Sequence, residues 1–192
     1  MINNYKGQKA ERSTGGNTPL PAGGYVAKII NAKLEDYSWG SVVVVAFDIA
    51  EGDHTNFFKN QFDNNQNEDK KWKGTYRLIV PDENSQYFES NRRQFNNFIY
   101  ALEDSNEGYH YDCDEKRFKG LKVGVIFRNK EWEMNGRTGW TTECGTVDTV
   151  EAIRNGTFKQ MKDKPLNNKP NAASAPVTLD NLTDDDDGDL PF

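Results

Sequence analysis

Arg128, Lys130, Trp132 and Arg137 surround an Asn135-Gly136 dipeptide, and together they offer positive charge on either side of a flat aromatic ring. Asn-Gly is a favoured pair for a two-residue hairpin turn. Such a turn sets Met134 opposite Arg137, Trp132 opposite Gly139 and Lys130 opposite Thr141. Side chains alternate between the faces of a strand, so Arg128, Lys130, Trp132 and Arg137 share one face. Val123, Val125 and Phe127, joined by Cys144 and Trp140, occupy the other and are expected to be core. A ring among cations suits a single-stranded nucleic acid, whose bases stack while its phosphates meet the charges. The plainer alternative is a solvated hairpin face with Trp132 tucked against the body.

Two further places combine rings with turns or cations. Trp39 lies between Ser38 and Gly40 in a short turn. There it either folds back over the core or offers a stacking surface. Lys70, Lys71, Trp72 and Lys73 again interleave cations with an indole. Arg92 and Arg93, and the run Lys116, Arg117, Lys119 and Lys122, are less specific and read as solvated charge.

The chain ends Asp184-Asp185-Asp186-Asp187-Gly188-Asp189-Leu190-Pro191-Phe192. Acidic runs are common in disordered tails, but one that closes on an apolar residue, a proline and a terminal phenylalanine is rare. Pro191 restricts the backbone. Phe192 and its carboxylate thus form a hook for an apolar pocket with a basic rim. From Leu166 onward the chain holds six aspartates against one lysine, a net −5. Of the overall −6, only −1 is left for residues 1–165. That near-neutral body is unlike a strongly basic duplex-DNA binder, and any nucleic-acid site must come from local clustering.

Catalytic and metal chemistry find little support. No phosphate loop or Ser/His/Asp arrangement is visible. Cys113, Cys144, His54 and His110 lack zinc-like spacing. The expectation is a non-enzyme without metal or cofactor. No apolar run reaches the length of a membrane span, and residues 1–12 lack the apolar centre of a secretory signal. A cytoplasmic protein without membrane contact is expected.

The elements that must carry these residues follow from periodicity. Residues 1–23, rich in Gly, Asn, Ser and Thr, form a flexible arm. Strands are expected over 25–37, 42–50 and 75–80, the last stopped by Pro81. Residues 54–62 read as a short strand and 63–71 as a polar loop. Phe88, Phe95, Phe98, Ile99 and Leu102 fall at helical spacing and predict a helix over 85–103. The hairpin over 122–134 and 137–146 follows, then a short helix over 149–154. Residues 159–183, with Pro165, Pro170 and Pro176, read as a disordered linker before the tip at 184–192. Five strands with a helix between the third and fourth is the element order of an OB-fold barrel over 24–158. A small antiparallel sheet with one covering helix gives the same string. In the OB reading the ligand meets one sheet face and the loops at Ser38-Trp39-Gly40 and Asn135-Gly136.

At the tail a resemblance enters. Its last nine or so residues resemble the ending of bacterial single-stranded DNA-binding proteins, which finish in aspartates followed by Ile-Pro-Phe. Here Leu190 replaces the isoleucine and Gly188 interrupts the acids. The body is more similar to replication and recombination proteins of phages that infect Gram-positive bacteria, so a phage gene would place the protein in a host cytoplasm. The resemblance implies an OB-fold core, sequence-tolerant binding of single-stranded DNA, and a tail that docks replication, recombination or repair proteins. It leaves self-association open. A competing expectation is an adaptor or recombination mediator whose body does not touch DNA.

Overall fold

In a computed structural model of the chain, residues 18–166 are described. Most of the expected N-terminal arm, the expected linker from residue 167 and the acidic tip at 184–192 lie outside the described residues. The elements run β1 (Gly23–Tyr37), β2 (Gly40–Ile49), α1 (Phe57–Asn64), β3 (Thr75–Ile79), α2 (Phe88–Ser105), β4 (Lys122–Met134), β5 (Arg137–Asp148) and α3 (Val150–Asn155). A single turn of 3-10 helix, Glu115–Phe118, precedes β4.

The five strands form one antiparallel sheet in the order β3-β2-β1-β4-β5. This is the expected mainly-β arrangement with a helix between the third and fourth strands. The sheet does not close into a barrel, because β3 and β5 remain its edges. Helix α2 lies across that open seam. The Gln94 amide donates to the Tyr76 hydroxyl of β3 at 3.4 Å, and the Asn97 amide donates to the Val147 carbonyl of β5 at 2.9 Å. Phe98, Ala101 and Leu102 recur at helical spacing and are buried beneath it, whereas Tyr100 on the far side is exposed.

β1 is shared between two neighbours. Its residues from Gly23 to Lys28 pair with β4, and those from Ala27 onward pair with β2. The register with β2 shifts between Ile29 and Asn31, an irregularity of the kind that lets a strand bend. Inside the bend lie Ile29, Val43, Val45, Phe47, Leu78, Val123, Val125 and Phe127, with Phe98 and Phe118 packed over them. Leu20 is also buried, so the last residues of the expected arm belong to the folded body.

The segment expected as a strand over 54–62 is instead the start of α1. The reason lies ten residues upstream. The Asp48 carboxylate, nearly buried at the end of β2, accepts the backbone N–H groups of Phe58 and Lys59. It satisfies the open N–H groups of the first turn, a task that no cap side chain performs at Asn56. Phe58 then packs edge-on against Phe47.

α3 is held to the sheet by charge. Glu51, just past β2, accepts from Arg154 of α3 at 2.6 and 3.0 Å and from Lys122 of β4 at 2.8 Å. Hydrogen bonds from Arg154 and then Lys122 bring its carboxyl down to about 2. The folded-state value lies below the unfolded one. The contribution is therefore full above pH ~4.3 and is lost as the pH falls toward the folded value. Glu51→Gln should lower the urea midpoint at neutral pH, with a deficit that shrinks below pH ~4.3. An equal deficit at pH 7 and pH 3 would show that the charge triad contributes nothing.

Candidate functional site

The hairpin forms with the expected register. Met134 pairs with Arg137, Trp132 with Gly139 and Lys130 with Thr141. Asn135 and Gly136 both take positive φ, 52° and 73°, the requirement of a type I′ turn. β1 stops pairing with β4 at the Gly23–Phe127 pair, so Arg128 to Met134 run out beyond it. β4 and β5 there become a two-stranded arm projecting from the sheet.

One face of the arm carries Arg128, Lys130, Trp132 and Met134 from β4, and Arg137, Gly139, Thr141 and Glu143 from β5. Trp132 lies flat against Gly139; a β-carbon at that position would meet the ring at 2.8 Å. One side of the indole is thus braced by backbone, and the residue stays 37% exposed. Arg137 and Met134 are exposed at the tip. The two other cations are not loose. Arg128 donates to one oxygen of Glu143 at 2.9 and 2.7 Å, and Lys130 lies 3.1 Å from the other. Burial alone would push the Glu143 carboxyl up. Hydrogen bonds from Arg128 and Lys130, with the charges of Lys130 and Lys164, hold it below the usual carboxylate range.

Lys164 reaches this group because residues 159–166 follow β4. Lys164 forms a parallel bridge with Lys130: its N–H donates to the Asn129 carbonyl at 2.8 Å, and its carbonyl accepts from Glu131 at 2.9 Å. The Gln160 amide donates to the Phe127 carbonyl, the Asn129 amide donates to Asp163, and Met161 packs over Gly145. The expected linker therefore does not begin at Lys159. Its first eight residues add a strap to the edge that β1 leaves open. No periodic side-chain pattern in this stretch signals it, since two backbone bonds and scattered contacts of Gln160, Met161, Asp163 and Lys164 make the attachment.

Trp140, expected in the core, is 52% exposed. Its parity is that of Phe127 and Cys144, but it sits opposite Glu131 on the arm, beyond the body. The last attachment of the body on that face is the Thr142 hydroxyl, which donates to the Leu20 carbonyl at 2.6 Å. Cys144 does pack against the core, and burial raises its thiol, which disfavours the reactive thiolate.

Trp39 sits at the other end of β1, stacked on Tyr37 with centroids 5.3 Å apart and ring planes 12° from parallel. Arg77 donates to the Tyr37 hydroxyl, and that hydroxyl donates to Glu35, which also pairs with Lys33. Tyr37 and Arg77 were not expected in a binding surface, although Tyr37 lies two residues before Trp39. The turn at Trp39 and the arm with Trp132 occupy opposite ends of β1.

Trp72 differs from both. Its indole N–H lies 3.1 Å from the carbonyls of Phe47 and Gly74, and its ring packs on the core beside Phe62. It is a structural anchor. Lys70 covers the Phe62 ring at 4.5 Å, while Lys71 and Lys73 are exposed. The structure thus brings Arg128, Lys130, Trp132 and Arg137 together, adds Lys164, and leaves Trp39 and Lys70 to Lys73 elsewhere.

Among the described residues no group of three or more His, Cys, Asp or Glu side chains could hold a metal ion, and no helix is long and apolar enough to cross a membrane. No protein-family model and no curated protein matches the chain.

The two tryptophans should behave oppositely. Trp72→Ala should cost roughly 3 kcal/mol of unfolding free energy, through lost packing and the loss of the indole N–H shared by the Phe47 and Gly74 carbonyls, the second of which keeps the Phe47 N–H. Trp132→Ala should cost less than about 1 kcal/mol. Urea denaturation of both variants checks this, and a larger loss for Trp132→Ala would mean that its ring supports the fold.

Proposed function

We propose that the β4–β5 arm binds single-stranded nucleic acid, DNA in the first place, with little sequence preference, and that the acidic tip recruits proteins of replication, recombination or repair. The observation that carries the reading is Trp132. It is an exposed indole braced on Gly139, with Lys130 and Arg128 behind it on one strand and Arg137 ahead of it across the turn. A base can stack on the open side of the ring while the cations take phosphates. The overhang supports the reading too, because the arm carries Trp132 and Arg137 beyond the part of β4 that β1 pairs with, where both are exposed. The body's near-neutral charge fits weak rather than tight duplex binding.

One observation favours the adaptor reading. Met134, beside Trp132 on one face of the arm, and Trp140, on the other face, are 63% and 52% exposed, and aromatic and Met side chains are enriched in protein interfaces. Titration of the intrinsic tryptophan fluorescence separates the two. Oligo-dT should bind more tightly than a duplex of equal length, and its affinity should fall as salt rises. Trp132→Ala should weaken oligo-dT binding by about 1–3 kcal/mol. Parallel titration with oligo-rU reports which polymer is preferred. Equal affinity for duplex and single strand, or no response to salt, would count against the single-strand reading, and binding to neither would favour the adaptor.

The tip is tested separately. Phe192→Ala removes the apolar end of the hook and leaves every aspartate in place. It should abolish capture of the proteins that the parent retains from a bacterial lysate while changing oligo-dT affinity little. Retention of the same set by the variant would refute the hook.

A further inference from the structure

Glu143 is the one acid among four neighbouring side chains of the arm face, and the other three are Arg128, Lys130 and Lys164. Its two oxygens face all three cations: one accepts from Arg128 at 2.7 and 2.9 Å, the other lies 3.1 Å from Lys130, and Lys164 stands 3.8 Å away as a longer ion pair. The four side chains are only 15–27% exposed, so their attraction is screened less than that of surface pairs. A carboxylate held between a guanidinium and two ammonium groups has the donors that a phosphate diester would use. Lys164 is present only because its backbone is strapped to β4, so the third donor depends on the strand addition at 163–166.

We propose that this cluster is a phosphate subsite in which Glu143 is the resident anion: a backbone phosphate of the bound strand takes over the three cations, and Lys164 is a nucleic-acid-binding residue. This rests on the reading of the arm as a single-strand site. The exchange conserves charge pairing, because Glu143 returns to water as the phosphate enters. Its consequence is a threshold. Isolated phosphate groups compete poorly with a carboxylate already in place. A strand that also stacks on Trp132 supplies the additional free energy, which links entry of the phosphate to occupancy of the ring.

The test uses the full chain, oligo-dT and a salt series. Glu143→Gln removes the resident charge and keeps the shape. It should tighten oligo-dT binding by roughly threefold or more at low salt and leave the log–log salt slope near that of the parent, because the same phosphate is contacted in both. Lys164→Ala keeps the backbone strap; it should weaken binding by roughly threefold and flatten the slope by about 0.7. Amine acylation of the unmodified protein avoids any question of folding. Lys130 and Lys164 should both be protected by saturating oligo-dT. If the parent binds oligo-dT but Glu143→Gln binds equally or more weakly, Glu143 is a clamp for the strap and the proposal is overturned. Unchanged acylation of Lys164 in the saturated complex overturns it as well. If the parent itself does not bind oligo-dT, the single-strand reading fails first and this inference falls with it.

Discussion

Every backbone N–H and C=O of a buried strand needs a partner, and β4 is where that requirement shapes the molecule. On one side β5 accompanies it from Gly124 to Met134. On the other side β1 accompanies it only as far as the Gly23–Phe127 pair. From Arg128 onward that edge would be open, and an open edge invites pairing with any available strand. The chain closes it with its own residues 163–166. The closure is local, and its consequence for the site is large. A lysine that the sequence places in a tail becomes a neighbour of Glu143, and the arm gains a third strand at its root but not at its tip.

The same geometry separates tryptophans that serve the fold from those that do not. Trp72 precedes β3, where Phe47 and Gly74 present carbonyls within reach of its N–H, and burial is stabilising because the polar edge is satisfied. Among the described residues, no layer covers the exposed parts of Trp132 and Trp140. Their rings therefore remain in water despite the free energy gained by covering so large an apolar area. Trp132 recovers part of it against Gly139. An apolar surface left open at the end of a well-paired arm is expected when something else covers it.

Local chemistry was legible in the sequence, and tertiary chemistry was not. Asn135-Gly136 fixes the hairpin because only two backbone conformations at adjacent positions are involved, and alternation then assigns Arg128, Lys130, Trp132 and Arg137 to one face. The helix over Phe88–Ser105 is legible from the spacing of Phe95, Phe98 and Leu102. α1 was misread because phenylalanines favour strands, and the carboxylate that nucleates the helix belongs to Asp48 at the end of another element. Trp140 was misread for a different reason. Parity gave its face correctly, but parity carries no information about where the opposing layer ends. The strap was invisible because its two backbone bonds use groups that every residue possesses, and its side-chain contacts, from Gln160, Met161, Asp163 and Lys164, follow no periodic pattern.

The pairing of Arg128 and Lys130 with Glu143 bears on how such an arm could discriminate among polyanions. Cations free in solvent respond to any negative charge, so they bind duplex, single strand and acidic peptide with little distinction. Cations already satisfied by a carboxylate yield little net attraction to a newcomer, because the gain of one contact is offset by the loss of another. Selectivity then passes to whatever the newcomer offers besides charge. On this face that is the open side of Trp132, a few ångströms along the same strand. Bases stacked inside a duplex have their faces occupied, whereas those of a single strand are available to the ring. On the proposed single-strand reading, internal neutralisation of the cations, which at first lowers the expectation of tight binding, would make the indole the deciding contact and favour unpaired bases over charge alone.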